Sequence, residues 1–160
     1  MPGHGSDGLE LSSLQDLYQQ VILDHYRRPR NKGPLEGATH TLTLNNPLCG
    51  DVIDLMLRLE GDRIAEVHFE GRGCSISQAS ASMMSEAVTG KSLAEVEELV
   101  RKFKVMMAIE ESDEEIVNPD RPGEALGDLE ALQGVRKFPV RIKCADLPWI
   151  TLQQALEAAE

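Results

Sequence analysis

Residues 51–71 read DVIDLMLRLEGDRIAEVHFEG, and this stretch leaves the chain few folds to choose from. Ile53, Leu55, Leu57 and Leu59 recur at a spacing of two, which places them on one face of a strand. The turn signal EGDR follows at once, centred on Gly61-Asp62. RIAEVHFEG then alternates again, with Ala65, Val67 and Phe69 on one side. Strands joined by so short a turn run antiparallel. Upstream, ATHTLTLNN is β-branched and ends in turn residues, which supplies a third strand.

The rest of the chain reads as helix. Leu14, Leu17, Tyr18, Val21, Ile22 and His25 follow the spacing of one buried helical face. Ser12 is placed to cap that helix, with Gln15 three residues on, and RRPRNKGP ends it through Pro29 and Gly33. After the strands, Ile76, Ala79, Ser80, Met83, Met84, Ala87 and Val88 form a second stripe, which Gly90 closes. Ser92 and Glu95 make a capping-box pattern before Leu93, Val96, Leu99, Val100 and Phe103. Residues 110–127 are acidic and carry prolines and glycines, so they read as a solvated loop with a short helical piece. TLQQALEAAE reads as a C-terminal helix. The order predicts an α+β fold, an antiparallel three-stranded sheet with helices packed on it. We expect a mobile Gly-rich tail over 1–11 and a single domain over 12–160.

Charge and cysteine usage exclude several function classes. The 160 residues carry a net charge of −11, which argues against nucleic acid and an anionic membrane surface as partners. An acidic surface suits docking onto a basic patch of another protein. Three widely spaced cysteines do not make a secreted disulfide framework. With no apolar signal core or membrane span, the chain reads as cytoplasmic with reduced thiols.

Those cysteines carry the chemistry. Cys49-Gly50-Asp51 lies between the first two strands, where Gly50 lets a thiol and a carboxylate turn toward one point. Cys74 follows Gly73 at a helix start, where the positive end of the dipole favours thiolate. Cys144 lies in RIKCADLPW, and Arg141 and Lys143 also favour its thiolate. No pair has C-x-x-C spacing. Three thiols and one close carboxylate nonetheless make four donors, the count of a tetrahedral zinc site. The four histidines suit structural or solvated roles better. No Walker loop, GxGxxG or GxSxG pattern occurs.

NPLCGD, the GRGCSISQASAS helix start and FPVRIKC together resemble the U-type iron–sulfur cluster assembly proteins, from about Leu14 to the C-terminus. Two features resemble the SufU branch more than the IscU branch. Lys143 stands where the IscU pattern has a histidine before the third cysteine, and an acidic insertion lies near 105–130. The resemblance implies a metal site on Cys49, Asp51, Cys74 and Cys144. It also implies that Cys144 accepts persulfide sulfur from a SufS-type cysteine desulfurase and passes it on toward downstream assembly scaffolds. The implied cofactor is zinc. The transfer step is expected to require Cys144 to leave the metal. Two other readings stay open: an IscU-type scaffold that holds iron or a [2Fe–2S] cluster, and a non-enzymatic adaptor with a purely structural zinc.

Overall fold

The computed structural model describes residues 4–47 and 50–158, with side chains from residue 15 onward. Eight elements follow one another: α1 (His4–Arg27), β1 (His40–Asn46), β2 (Asp51–Glu60), β3 (Arg63–Arg72), α2 (Ser75–Val88), α3 (Leu93–Met106), a 3-10 helix (Gly127–Lys137) and α4 (Pro139–Glu157). The strands form an antiparallel sheet in the order β1-β2-β3, as the alternation predicted.

Register explains the sheet's buried face. Ile53, Leu55 and Leu57 point inward, and the β2–β3 turn has only Gly61 at positive φ, in the sense of a II′ turn. The ladder slips between Arg58 and Leu59, so that Leu59 pairs with Ile64 while Arg58 pairs with Glu66. Ala65 is the extra residue of this bulge. As a result Ile64 is buried and Ala65 is not, where strict alternation had placed Ala65 inside.

The sheet packs its apolar face against α2, which is buried on nearly every side. The sequence stripe gave α2 one buried face. The structure buries Ser77, Gln78, Ala81, Ser82 and Ser85 as well. Small side chains let neighbours approach closely, and the hydroxyls find partners inside. Ser80 Oγ donates to Ala145 O at 2.6 Å and accepts from Trp149 Nε1 at 3.2 Å. Trp149 in turn stacks on Phe103, with ring centroids 4.4 Å apart.

Three boundaries differ from expectation. α1 begins at His4, so Ser12 lies within the helix and does not cap it. The acidic segment is irregular from 110 to 126, then enters an eleven-residue 3-10 helix that buries Leu129 and Leu132. Its packing overrides the usual short length of such helices. The Cys144 segment and the C-terminal helix are one element, α4, with Pro148 inside it. Trp149, Leu152 and Ala155, all buried, hold this helix in place through a proline that costs it one backbone hydrogen bond. The Ser92–Glu95 capping box forms as read, and Gly90, at positive φ, follows the C-cap of α2. Among the described residues no helix is long and apolar enough to cross a membrane.

Candidate metal centre

Sheet topology brings the site residues to one end of the molecule. Val52 pairs with Arg72, so the start of β2 and the end of β3 lie side by side. Asp51 opens β2, fully buried. Cys74 stands two residues past β3, as the N-cap of α2. Cys144 lies in the second turn of α4 and is 1 % exposed. One ligand atom from each of Asp51, Cys74 and Cys144 falls within 4.8 Å of the others. Cys49, the fourth residue of the expected set, lies outside the described residues. In sequence it lies between Asn46 and Asp51, which are strand partners.

The two oxygens of Asp51 divide their work. Oδ1 accepts the Cys74 backbone N–H at 2.7 Å, which caps the first turn of α2. Oδ2 is 3.5 Å from Cys74 Sγ, leaving it turned toward the thiols. Gly73 makes this possible. A Cβ there would come within 2.0 Å of Asp51 Oδ1, and its φ of +140 also disfavours any side chain. Gly50 plays a different part: a Cβ would meet nothing among the described residues, and its φ of +71 is what the tight turn needs.

Around the thiols the environment is mostly hydroxyl and backbone. Ser77 Oγ lies 3.9 Å from Cys74 Sγ and donates to Cys74 O at 3.2 Å. Cys144 Sγ donates toward Val140 O at 3.6 Å. Asp146, two residues on, stays outside the donor cluster. Burial pushes its carboxyl above the ordinary range, against the opposing pull of Lys104. Arg141 and Lys143 are exposed. The sequence singled out neither Ser77 nor the clearance role of Gly73. Ser77, three residues after Cys74 at a helix start, was legible only as part of the small-residue stripe.

Two thiolates bound to one zinc at about 2.3 Å stand ~3.8 Å apart. Donors already within 4.8 Å therefore need shifts of only ~1 Å to close on such an ion. Two sulfurs and one carboxylate oxygen from three different elements fit a borderline-soft cation.

A second cluster joins His25, Glu86 and Asp128. The Asp128 carboxylate can only accept, so His25 Nε2 carries the proton and donates to Asp128 Oδ2 at 2.8 Å. In the neutral ring Nδ1 then accepts from Ser82 Oγ, also at 2.8 Å, and Ser82 Oγ accepts from the Arg30 N–H. With both nitrogens engaged and the ring buried, His25 is a strut joining α1, α2 and the 3-10 helix.

Comparisons with known proteins agree with this architecture. The family model described as NifU-like N terminal domain matches residues 17–145. The zinc-dependent sulfurtransferase SufU of Bacillus subtilis (strain 168) is 47% identical over 149 residues, 93% of this chain and 95% of that protein. The iron–sulfur cluster assembly scaffold protein IscU of Streptococcus pyogenes serotype M1 is 44% identical, covering 93% of this chain and 88% of that one. Among solved structures, a candidate iron–sulfur cluster assembly scaffold for the SUF system of Fervidobacterium islandicum AW-1 superposes with a TM-score of 0.71 at 35% identity. It covers 85% of this chain and 93% of that chain.

Proposed function

The chain belongs to the NifU-like N terminal domain family, and from that premise we propose that it serves iron–sulfur cluster assembly as a zinc-dependent acceptor of persulfide sulfur from a cysteine desulfurase. The observation that carries this reading is the convergence of Asp51, Cys74 and Cys144 within 4.8 Å, from three elements distant in sequence. Asp51 Oδ2, Cys74 Sγ and Cys144 Sγ would hold the metal, with Cys49 as the fourth donor. When bound, zinc would keep the thiols deprotonated near neutral pH.

The chain's own residues define the rest. Asp51 spends one oxygen on the α2 cap, so it offers the metal a single, fixed oxygen. Ser77 and the helix start fix Cys74. Cys144 is the acceptor. Its thiolate attacks the terminal sulfur of the donor persulfide, a new S–S bond forms at Cys144, and the donor's S–S bond breaks. The electron pair leaves on the donor cysteine as thiolate. Lys143, where the IscU pattern has an imidazole, favours this transfer over cluster building.

Mixing the zinc-loaded chain with a desulfurase and cysteine under reducing conditions tests the reading. Sulfide release should rise with the intact chain and not with Cys144→Ala. No stimulation by the intact chain, or full stimulation by the variant, would overturn it. The same donor set, and the likeness to a protein named as an IscU scaffold, support a second reading as a scaffold. Anaerobic reconstitution separates the two. Stable visible absorbance followed by transfer to an apo-ferredoxin would favour the scaffold, whereas about one zinc per chain as purified favours sulfur transfer.

A further inference from the structure

The two thiols among the described residues differ in what surrounds them. Cys144 is 1 % exposed and sits in the second turn of α4, where its Sγ donates toward Val140 O at 3.6 Å. Cys74 is half-buried, and as the N-cap of α2 its side chain makes no capping bond. Its sulfur meets Asp51 Oδ2 at 3.5 Å and Ser77 Oγ at 3.9 Å, contacts too long to hold the side chain against a turn. The two sulfurs lie within 4.8 Å of each other. Reacting atoms in a productive pair stand about 3–3.5 Å apart, so these two need a closure of only about 1.5 Å.

A persulfide carried on Cys144 has Cys144 Sγ as its inner sulfur, the atom whose position the fold fixes. Burial there keeps bulky thiols from outside away from that atom. Cys74 is a nucleophile already beside it. Two attacks can be written. Attack on the outer sulfur expels the Cys144 thiolate. Attack on the inner sulfur expels hydrosulfide, which is the weaker base and the better leaving group. The inner attack also joins the two atoms that the fold holds together.

Resting on the sulfur-transfer reading above, we propose that Cys74 is a resolving thiol for the Cys144 persulfide whenever it is not held as a metal ligand. Its sulfur attacks Cys144 Sγ. A Cys74–Cys144 disulfide forms, and the bond between Cys144 Sγ and the outer sulfur breaks. The electron pair leaves on the outer sulfur, the Cys74 thiol proton goes with it, and the product is hydrosulfide. The outer sulfur is reduced while the two cysteines are oxidised, so no other oxidant or reductant enters. Asp51 Oδ1 holds the Cys74 N–H, so the backbone can stay in place while the side chain turns. A Cys74 sulfur engaged as a ligand is withheld from the attack, and Cys144 then keeps its sulfur for an outside acceptor. Metal occupancy of this site therefore decides between delivery of the sulfur and its discharge.

The test starts from the full zinc-loaded chain, charged by a cysteine desulfurase with cysteine and freed of both by gel filtration without oxygen. Half of the sample then receives a chelator. Intact and peptide mass spectra follow the sulfur, a hydrosulfide probe follows its release, and circular dichroism follows the fold. In the chelated half, Cys144 should lose its extra sulfur at least about tenfold faster than in the zinc-loaded half. One hydrosulfide should appear per chain, together with a Cys74–Cys144 disulfide. Cys74→Ser, charged with sodium tetrasulfide if the desulfurase no longer serves it, should keep the sulfur on Cys144 after chelation. Equal loss in both halves would overturn the inference. So would loss from Cys74→Ser at the wild-type rate, an extra sulfur moved intact to Cys74, or a Cys49–Cys144 bridge. Mixed pairings in a chain that chelation has unfolded would overturn it as well, because they need no fold. An uncharged chelated chain should stay fully reduced, and a disulfide there would overturn the inference by revealing another oxidant. If the desulfurase never charges wild type, the sulfur-transfer reading falls, and charging wild type with tetrasulfide still decides the resolving step.

Discussion

Gly73 leaves the space that Asp51 occupies, and a single methyl group tests that relation. Gly73→Ala would press a carbon against Asp51 Oδ1 and force φ away from +140. On the proposed zinc reading, the expected result is loss of most of the zinc, measured by elemental analysis, while the far-ultraviolet spectrum stays close to wild type. Retention of full zinc content would show that the carboxylate does not depend on this clearance. The α3 cap offers a second residue-scale test. Ser92 Oγ accepts the Glu95 N–H, and Glu95 accepts the Ser92 N–H. Ser92→Ala should cost about 1 kcal/mol in denaturant unfolding. Ser92 holds the Glu95 carboxyl below its ordinary value, chiefly through its backbone N–H and secondly through its side chain. A carboxylate whose folded-state value is depressed stabilises the fold above its unfolded value, and that contribution fades as pH falls through the lowered folded value. Alanine keeps the Ser92 backbone N–H and removes only the side-chain share, so that share of the Ser92→Ala deficit should be largest near neutral pH and shrink in acid. A deficit that grows in acid would contradict the capping geometry.

At the scale of elements, buried polar groups decide which helices can move. In α2, Ser82 Oγ serves the Arg30 N–H and His25 Nδ1 together. Ser82→Ala leaves the buried His25 ring and the half-buried Arg30 N–H both short of a partner, and unfolding should show a loss of about 1–3 kcal/mol. Cavity terms are small for a single oxygen, so a neutral result would mean that water replaces the hydroxyl. The acidic segment has its own anchor. Glu130, 1 % exposed, accepts the backbone N–H groups of Gly123, Ala125 and Leu126 at 2.9, 3.1 and 2.9 Å. Glu130→Ala should free residues 123–126, read as faster proteolytic cleavage within that segment and little change elsewhere. Unchanged cleavage would show that the leucines alone hold it. Read as sequence, Glu130 was one more charge in an acidic run, and nothing local marks it as the acceptor for three donors.

For the molecule as a whole, the proposed metal centre would tie together elements that are otherwise joined by packing. Asp51, Cys74 and Cys144 come from β2, the start of α2 and α4, so an ion held between them favours the folded chain over the unfolded one. Free zinc at about one hundred times its dissociation constant would add about 2.7 kcal/mol. Chelation should lower the melting temperature, and restored zinc should raise it in a concentration-dependent way. An identical melting temperature with and without chelator would mean that no ion links these elements.

Local periodicity determined much of this protein before any contact was known. The alternation through residues 51–71 required an antiparallel hairpin, because side chains on a strand change face at every residue. The α3 capping box and the three helical stripes were equally legible, since each depends on neighbours within one turn. The donor residues could be singled out by type, and their motifs resembled a known family. What the sequence could not supply was distance. Cys74 and Cys144 are separated by 69 residues, and only the packing of α4 beside α2 brings their sulfurs within reach of Asp51. The burial of α2 on nearly all sides, the bulge that turns Ile64 inward and the persistence of α4 through Pro148 were likewise decided by tertiary packing. In each case long-range contacts outweighed the local preference, and local preference is all that a short stretch of sequence can express.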